Sequence, residues 1–176
     1  MSNSKNTPKF EVFNAGSYKV GIVVAKFNSQ YTEPMLEEAK KVLTLYKVPA
    51  KNIKILKVAG SMEIPVALQA LADLPAYASQ TDSPVAPDGS AQAENGFDCL
   101  VAIGVIIKGE TAHFDYVAKV VSEGVLRVSL DYKIPIGFGV IAAYNEKQVK
   151  ARLYQGKEAM IAALQATREI KTFSSN

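Results

Sequence analysis

The chain has one histidine among its 176 residues. That residue, His113, lies in the run Lys108-Gly109-Glu110-Thr111-Ala112-His113-Phe114-Asp115. These residue types, this close together, suit the binding of an anion and the movement of a proton. Gly109 lets the backbone approach a ligand, Thr111 offers a hydroxyl and Lys108 adds a positive charge. A helix beginning here would aim its free N–H groups at the same place, an arrangement that favours phosphate. A lone histidine is more often structural than catalytic, but beside a phosphate subsite proton transfer becomes the better reading. Asp115 is two positions on, and residues so spaced do not face each other on a helix, so a structural role suits it better.

Three other stretches carry polar and aromatic groups. In Lys26-Phe27-Asn28, Phe27 reads evenly as a core residue or as a flat platform for a heteroaromatic ring. In Ala59-Gly60-Ser61-Met62-Glu63-Ile64-Pro65, the Gly-Ser pair is ordinary turn chemistry, yet such turns also offer N–H groups to anions and hydroxyls. Glu63 can serve simply to complement a helix N-terminus. Phe138 stands between two glycines. Other chemistries fare worse: there is no G-x-G-x-x-G after the first apolar run, no G-x-x-x-x-G-K-[ST] and no G-x-S-x-G, and one His with one Cys cannot build a metal cluster beyond carboxylates. Dinucleotide redox enzymes, ATPases and zinc hydrolases are disfavoured, and a triad of His113 with Ser61 keeps only a small place. Nothing in these stretches suggests a metal site.

The elements that must position these residues follow from hydrophobic patterning. Four segments rich in β-branched residues and apolar on both faces, Tyr18 to Ala25, Ile53 to Val58, Cys99 to Val105 and Ile134 to Val140, read as buried parallel strands. Helical spacing covers 32 to 46, with Thr32 as N-cap and Pro34 tolerated in the first turn. It also covers Glu63 to Leu74, a helix after Gly109 with Phe114, Val117, Val121, Val125 and Val128 on its inner stripe, and a last region from about 145 to 171, interrupted near Gly156. Alternation of this kind predicts a three-layer α/β/α sandwich around a four-stranded parallel sheet. In such sheets ligands bind beyond the carboxyl ends of the strands, and that is where the stretches at 26–28, 59–65 and 108–115 fall, while Phe138 lies within the fourth strand.

A single domain over 18–173 is expected, preceded by an arm at 1–17 and followed by a short tail at 174–176. Residues 75–97, PAYASQTDSPVAPDGSAQAENGF, lack periodicity and any Lys or Arg and read as an exposed insertion. In the arm Phe10, Val12 and Phe13 partly alternate, so it reads either as an edge strand added to a neighbouring subunit or as a disordered segment. The net charge of +3 and the pI near 8.8 are mild, and without a basic run neither nucleic acid nor a membrane surface is an expected partner. Cys99, the only cysteine, lies in an apolar run and reads as a buried small hydrophobe. The polar N-terminus lacks a secretory apolar core and no run reaches membrane-spanning length, which predicts a cytoplasmic protein.

Taken in order, V-G-I-V-V-A-K-F-N, V-A-G-S-M-E-I-P, A-I-G-V-I-I-K-G-E-T-A-H-F-D-Y-V and P-I-G-F-G-V resemble the lumazine synthases of riboflavin biosynthesis, from about Tyr18 to Phe173 apart from the insertion. The resemblance implies a flavodoxin-like fold and a cofactor-free condensation of 5-amino-6-ribitylaminouracil with 3,4-dihydroxy-2-butanone 4-phosphate. It implies pentamers or hollow shells of twelve pentamers with active sites between subunits, and riboflavin synthase as a further partner. By the same resemblance Phe27 would stack on the pyrimidine with Asn28 nearby, Ser61, Met62 and Glu63 would hold the ribityl chain, and backbone groups around Val105 and Ile106 would bind the pyrimidine edge. Gly109, Glu110 and Thr111, with Lys108, would cradle the phosphate and His113 would move protons. Phe138 and Arg152 would come from a neighbouring subunit, Arg152 reaching the phosphate.

The chain also departs from that pattern. Ala59 replaces a usual proline, Met62 a usual aromatic residue, and Ala142, Ala143 and Tyr144 a more polar stretch. The segment after Arg152 is shorter than the family's lysine-bearing loop, with Lys157 the nearest stand-in, so weakened phosphate binding is expected. Two alternatives to the enzyme therefore stand: a poorly active, shell-forming relative that binds a flavin or pyrimidine, and an unrelated flavodoxin-like binder of a phosphorylated ligand.

Overall fold

The computed structural model describes residues 10–74 and 96–175. Four strands, β1 (Val20–Ala25), β2 (Ile53–Val58), β3 (Cys99–Ile107) and β4 (Ile136–Ala143), form one parallel sheet in the order β2-β1-β3-β4. Val20 stands opposite both Ile53 and Cys99, and Leu100 opposite Ile136. The helices are α1 (Ser29–Leu45), α2 (Ile64–Asp73), α3 (His113–Asp131), α4 (Glu146–Lys150) and α5 (Gln155–Ser174).

Side chains alternate across a strand, and β1 and β3 feed two cores. Val20, Ile22, Val24, Val101, Ile103 and Val105 face Met35 and Leu43 of α1 and Met160 and Leu164 of α5. Val23, Ala25, Leu100 and Ala102 face Ile64 and Leu68 of α2 and Val121 and Val125 of α3. Each fully buried Val, Leu, Ile or Met among them contributes roughly 1.5–3 kcal/mol, so the expected three-layer sandwich is held from both faces of its two central strands.

The structure corrects several local expectations. β2 has the expected limits but is an edge strand, and Lys54, Ile55, Leu56 and Lys57 are exposed; one missing neighbour leaves an apolar pattern uncovered. Helix α1 begins at Ser29 with Asn28 at its N-cap. Thr32 is therefore inside the helix, where its Oγ1 donates to the Ala25 carbonyl at 2.8 Å, and Pro34 lies beyond the first turn. Having no N–H, Pro34 cannot bond back to the carbonyl four residues earlier. The last helical region is interrupted over 151–154, near Gly156 as expected, and Gly156 itself lies in the first turn of α5. A side chain at Gly156 would overlap the main-chain carbonyl of Met35, so the glycine serves the close approach of α5 to α1.

Residues 10–17 add no strand to the chain's own sheet. They lie along α5 and the end of α1: Gln165 Nε2 donates to the Glu11 carbonyl at 2.7 Å and to the Tyr46 hydroxyl at 3.1 Å. Phe13 meets Tyr18 and Tyr46 edge-on, with Arg168 over its face at 4.7 Å. The rest of the arm, residues 1–9, and residues 75–95 of the expected insertion lie outside the described residues. Phe97 packs against the α2/α3 core, so the core extends to that residue.

Candidate active site

Strand β1 leads to β2 on one side, and β3 lies on the other. This reversal of strand order opens a crevice beyond the carboxyl ends of β1 and β3, where open α/β sheets bind ligands. Beyond β1 the pairing with the β2 side continues, as Lys26 N donates to the Val58 carbonyl at 2.8 Å and Phe27 N to the Ala59 carbonyl at 2.9 Å. Asn28 then adopts the left-handed conformation, φ 62° and ψ 38°, which asparagine tolerates better than most residues. Its Nδ2 donates to the Val105 carbonyl at 2.9 Å, tying the end of β1 to the end of β3. The turn leaves Phe27 71% exposed at the rim of a cleft of about 390 Å³. An aromatic ring held out in this way by a fixed backbone is a stacking surface, not core packing.

A second wall is the short 3-10 turn Ser61–Glu63 that leads into α2. The Glu63 carboxylate accepts the Gly60 N–H at 2.8 Å, so the acid that complements the helix start also fixes the turn. Ser61 is buried against β3: a side chain at Gly104 would lie 2.8 Å from its Oγ. Glycine at 104 therefore lets Ser61 sit down against the sheet. Met62 projects into solvent at the cleft edge.

The third wall comprises the end of β3 and the loop before α3. Val105, Ile106, Gly109, Thr111 and His113 all line the cleft. His113 is the first residue of α3, and its N–H lies 3.4 Å from Thr111 Oγ1. Among the described residues no main-chain carbonyl accepts the N–H groups of residues 109–112, and nothing lies within 4 Å of where a side chain at Gly109 would be. The loop thus presents open N–H groups at a helix N-terminus, which attracts anions.

Phe27, Asn28, Ser61, Met62, Glu63, Val105, Ile106, Gly109, Thr111 and His113 therefore meet around one cleft. Lys108, Glu110, Phe138, Arg152 and Lys157 do not line it. Lys108 Nζ instead stands over the Tyr144 ring, 5.2 Å from its centroid. Phe138 is on β4, the opposite edge strand from β2, and is 46% exposed. Arg152 follows α4 and donates from a guanidinium NH to the Gln148 carbonyl at 2.9 Å, while Lys157 is in the first turn of α5. Four further residues line the cleft: Gly60, Ile107, Phe114 and Val117. The inner stripe of α3 already contained Phe114 and Val117; its first turns overhang the strand ends, so the same stripe serves core and cleft.

Among the described residues no group of three or more His, Cys, Asp and Glu could hold a metal, and no helix is long and apolar enough to cross a membrane. Cys99 is wholly buried at the start of β3, and burial pushes its thiol up to about 12, so it is inert at neutral pH. Glu146 of α4 is held below the usual carboxylate range, chiefly by a hydrogen bond from Tyr31 of α1 and then by Lys150. The cleft itself offers an aromatic platform, an acid-fixed turn and an anion-binding loop with a histidine, a set suited to positioning and proton transfer.

Comparisons with known proteins show what the chain is similar to. The family model described as 6,7-dimethyl-8-ribityllumazine synthase matches residues 17–171. A relative of that name from Pyricularia oryzae is 37% identical over 161 residues, covering 82% of this chain and 80% of its own. One from Polaromonas sp. is 36% identical over 149 residues, 84% of each chain. One from Cytophaga hutchinsonii is 33% identical over 170 residues, 93% of this chain and 94% of its own.

Proposed function

The chain belongs to the 6,7-dimethyl-8-ribityllumazine synthase family, and from that membership we propose that the cleft beyond β1 and β3 is where its reaction occurs. The protein is a transferase of riboflavin biosynthesis. It condenses 5-amino-6-(D-ribitylamino)uracil with 3,4-dihydroxy-2-butanone 4-phosphate to give 6,7-dimethyl-8-ribityllumazine, phosphate and water. The observation that carries the site assignment is a single cleft with an exposed phenylalanine on one side and an anion-binding loop bearing the sole histidine on the other.

In this reading the pyrimidine lies on Phe27, and main-chain groups of Val105 and Ile106 meet its polar edge. Asn28 fixes the platform through its bond to Val105. The ribityl chain runs along Ser61, Met62 and Glu63, and the phosphate rests on the open N–H groups around Gly109, Glu110 and Thr111, with Lys108 and Lys157 as further cations. The substrate supplies its own nucleophile, a ring amine that attacks the ketone and expels water. Phosphate then leaves by elimination, the resulting enol tautomerises to a new ketone, and the ribitylamino nitrogen closes on that carbonyl with loss of a second water. His113 shuttles the protons, as befits a residue at the phosphate end of the cleft. Orientation of two bound reactants supplies much of the acceleration in such a reaction.

The family acts on small molecules and assembles as homo-oligomers. We propose further that Phe138 and Arg152 complete the site of a neighbouring subunit in a pentamer, alone or in a shell of twelve, with riboflavin synthase as a downstream partner. Two features support this: neither residue lines the chain's own cleft, and a single chain leaves Tyr116, Val120, Leu126 and Leu130 exposed on α3. Light scattering of the purified protein should report an oligomer, and a monomer would overturn this assignment. The poorly active alternative is not favoured, because the cleft keeps Phe27, Glu63, Thr111 and His113 together. Incubation with both substrates should give lumazine fluorescence well above the spontaneous reaction; a rate equal to the spontaneous one overturns the enzymatic reading.

A further inference from the structure

We propose that Tyr144 is a positioning residue, a clasp whose ring joins Lys108 to Phe114 across the 109–112 loop and keeps the N–H groups between them set for an anion. The inference rests on the phosphate-binding role given to that loop above.

Strand β4 ends at Ala143, and Lys108 N donates to the Ala143 carbonyl at 2.9 Å. Sheet pairing therefore brings the start of the loop beside the residue that follows the strand, Tyr144. The Tyr144 main chain is pinned from its other side, since its N–H donates to Gln148 Oε1 at 2.9 Å. Gln148 N in turn donates to the Asn145 side chain at 3.0 Å. The ring thus projects from a fixed base. At one end of the loop Lys108 Nζ stands 5.2 Å from its centroid, in cation–π range. At the other end the Phe114 ring packs on it, centroids 5.9 Å apart and planes inclined by 36°. Phe114 also lines the cleft and follows His113 directly.

Between these two anchors lie Gly109 and the open N–H groups of residues 109–112, which have no main-chain acceptor among the described residues. A short loop with a glycine loses its set geometry when one end is freed, because ordering it costs conformational entropy. Lys108 likewise stays near the loop only while something holds its flexible stem. The tyrosine hydroxyl takes no part in either contact, so the ring alone should suffice.

The test uses inorganic phosphate as probe and the ring resonances of His113, the chain's sole histidine, as reporter, alongside steady-state turnover. Wild-type protein should show saturable shifts of those resonances. Tyr144→Ala should weaken phosphate about three- to ten-fold, the equivalent of about 0.6–1.4 kcal/mol at 1.4 kcal/mol per decade. The same variant should raise KM for the sugar phosphate by a similar factor and leave KM for the pyrimidine within about twofold. Tyr144→Phe should restore wild-type values, and Tyr144→Ala should cost less in a Lys108→Met background than alone. Unaltered phosphate binding in Tyr144→Ala, an equal loss for both substrates, failure of Tyr144→Phe to rescue, or wild-type His113 signals that ignore phosphate would each overturn the clasp. A wild-type protein without turnover whose phosphate shifts still depend on the Tyr144 ring would overturn the enzymatic reading and leave the clasp standing.

Discussion

Replacing Asn28 separates backbone strain from hydrogen bonding at the platform of the cleft. Its φ of 62° lies in the left-handed region, which costs an ordinary L-residue roughly 1–2 kcal/mol. Its side-chain bond to the Val105 carbonyl, 2.9 Å long and partly buried, adds roughly 0.5–1.5 kcal/mol. Asn28→Ala loses both, a total of about 1.5–3.5 kcal/mol. Asn28→Gly loses the bond but accepts the conformation, and its greater unfolded-state freedom costs about 0.5–1 kcal/mol. The alanine variant should therefore be less stable than the glycine variant by about 0.5–1 kcal/mol, read from urea midpoints at unchanged slope. Both variants release Phe27 from its fixed position, and KM for the pyrimidine should rise about ten-fold, a part of the roughly hundredfold that a misplacement of about 1 Å can cost. KM for the sugar phosphate should hardly move, because the loop at 108–112 is built from β3 and α3. An alanine variant as stable as the glycine variant would refute the strain argument, and equal KM changes for both substrates would refute the placement of the pyrimidine.

Other consequences follow from the same structure. Gly156→Ala forces a methyl group into the Met35 carbonyl, and since backbone cannot give way cheaply it should lower stability by about 2–3 kcal/mol or more in thermal or urea unfolding; a neutral effect would mean that α5 can slide on α1. Arg152→Ala should raise KM for the sugar phosphate about ten-fold or more, as expected for a charge-assisted bond to phosphate, with the pyrimidine little affected. Equal losses would remove its assigned role. Burial holds the Cys99 thiol up to about 12 against 9.0 for an exposed thiol, so roughly a thousandfold less thiolate exists in the folded chain at pH 8. Its contribution to stability is complete below pH 9 and is lost as pH rises from there towards 12. Alkylation of Cys99 at pH 8 should be slow and should accelerate with urea; a rate matching free cysteine would show that the centre of the sheet is open.

The central sheet was legible because β1 and β3 are apolar on both faces, and only doubly covered strands need that pattern. The same pattern misled at β2, where Ile55 and Leu56 lie on an edge strand and remain exposed; residue types record what a strand can bury, not how many neighbours it has. The start of α1 was missed because its signal is conformational. Asn28 enters the left-handed region, and the Thr32 hydroxyl is used on the Ala25 carbonyl. Gly156 marked the break, which falls just before it over 151–154, and itself serves a close helix contact. Most of the cleft could be anticipated, since Phe27, Ser61, Glu63, Thr111 and His113 follow strand ends that must converge at a switch point. Lys108 shows the limit: spacing places its Cα beside the loop, but the direction of its side chain is set by a ring 36 positions further along the chain, a partner that no local pattern reveals.

A single cleft, completed by a second subunit, is proposed to hold both reactants. A crystal structure of the protein with a non-reactive ribitylaminopyrimidine analogue and inorganic phosphate tests this directly. The pyrimidine ring should stack on Phe27, the ribityl chain lie against Ser61 and Glu63, phosphate sit on the N–H groups around Thr111, and the guanidinium of Arg152 arrive from a neighbouring subunit. An analogue bound away from Phe27, or a phosphate held without the 109–111 loop, would contradict it.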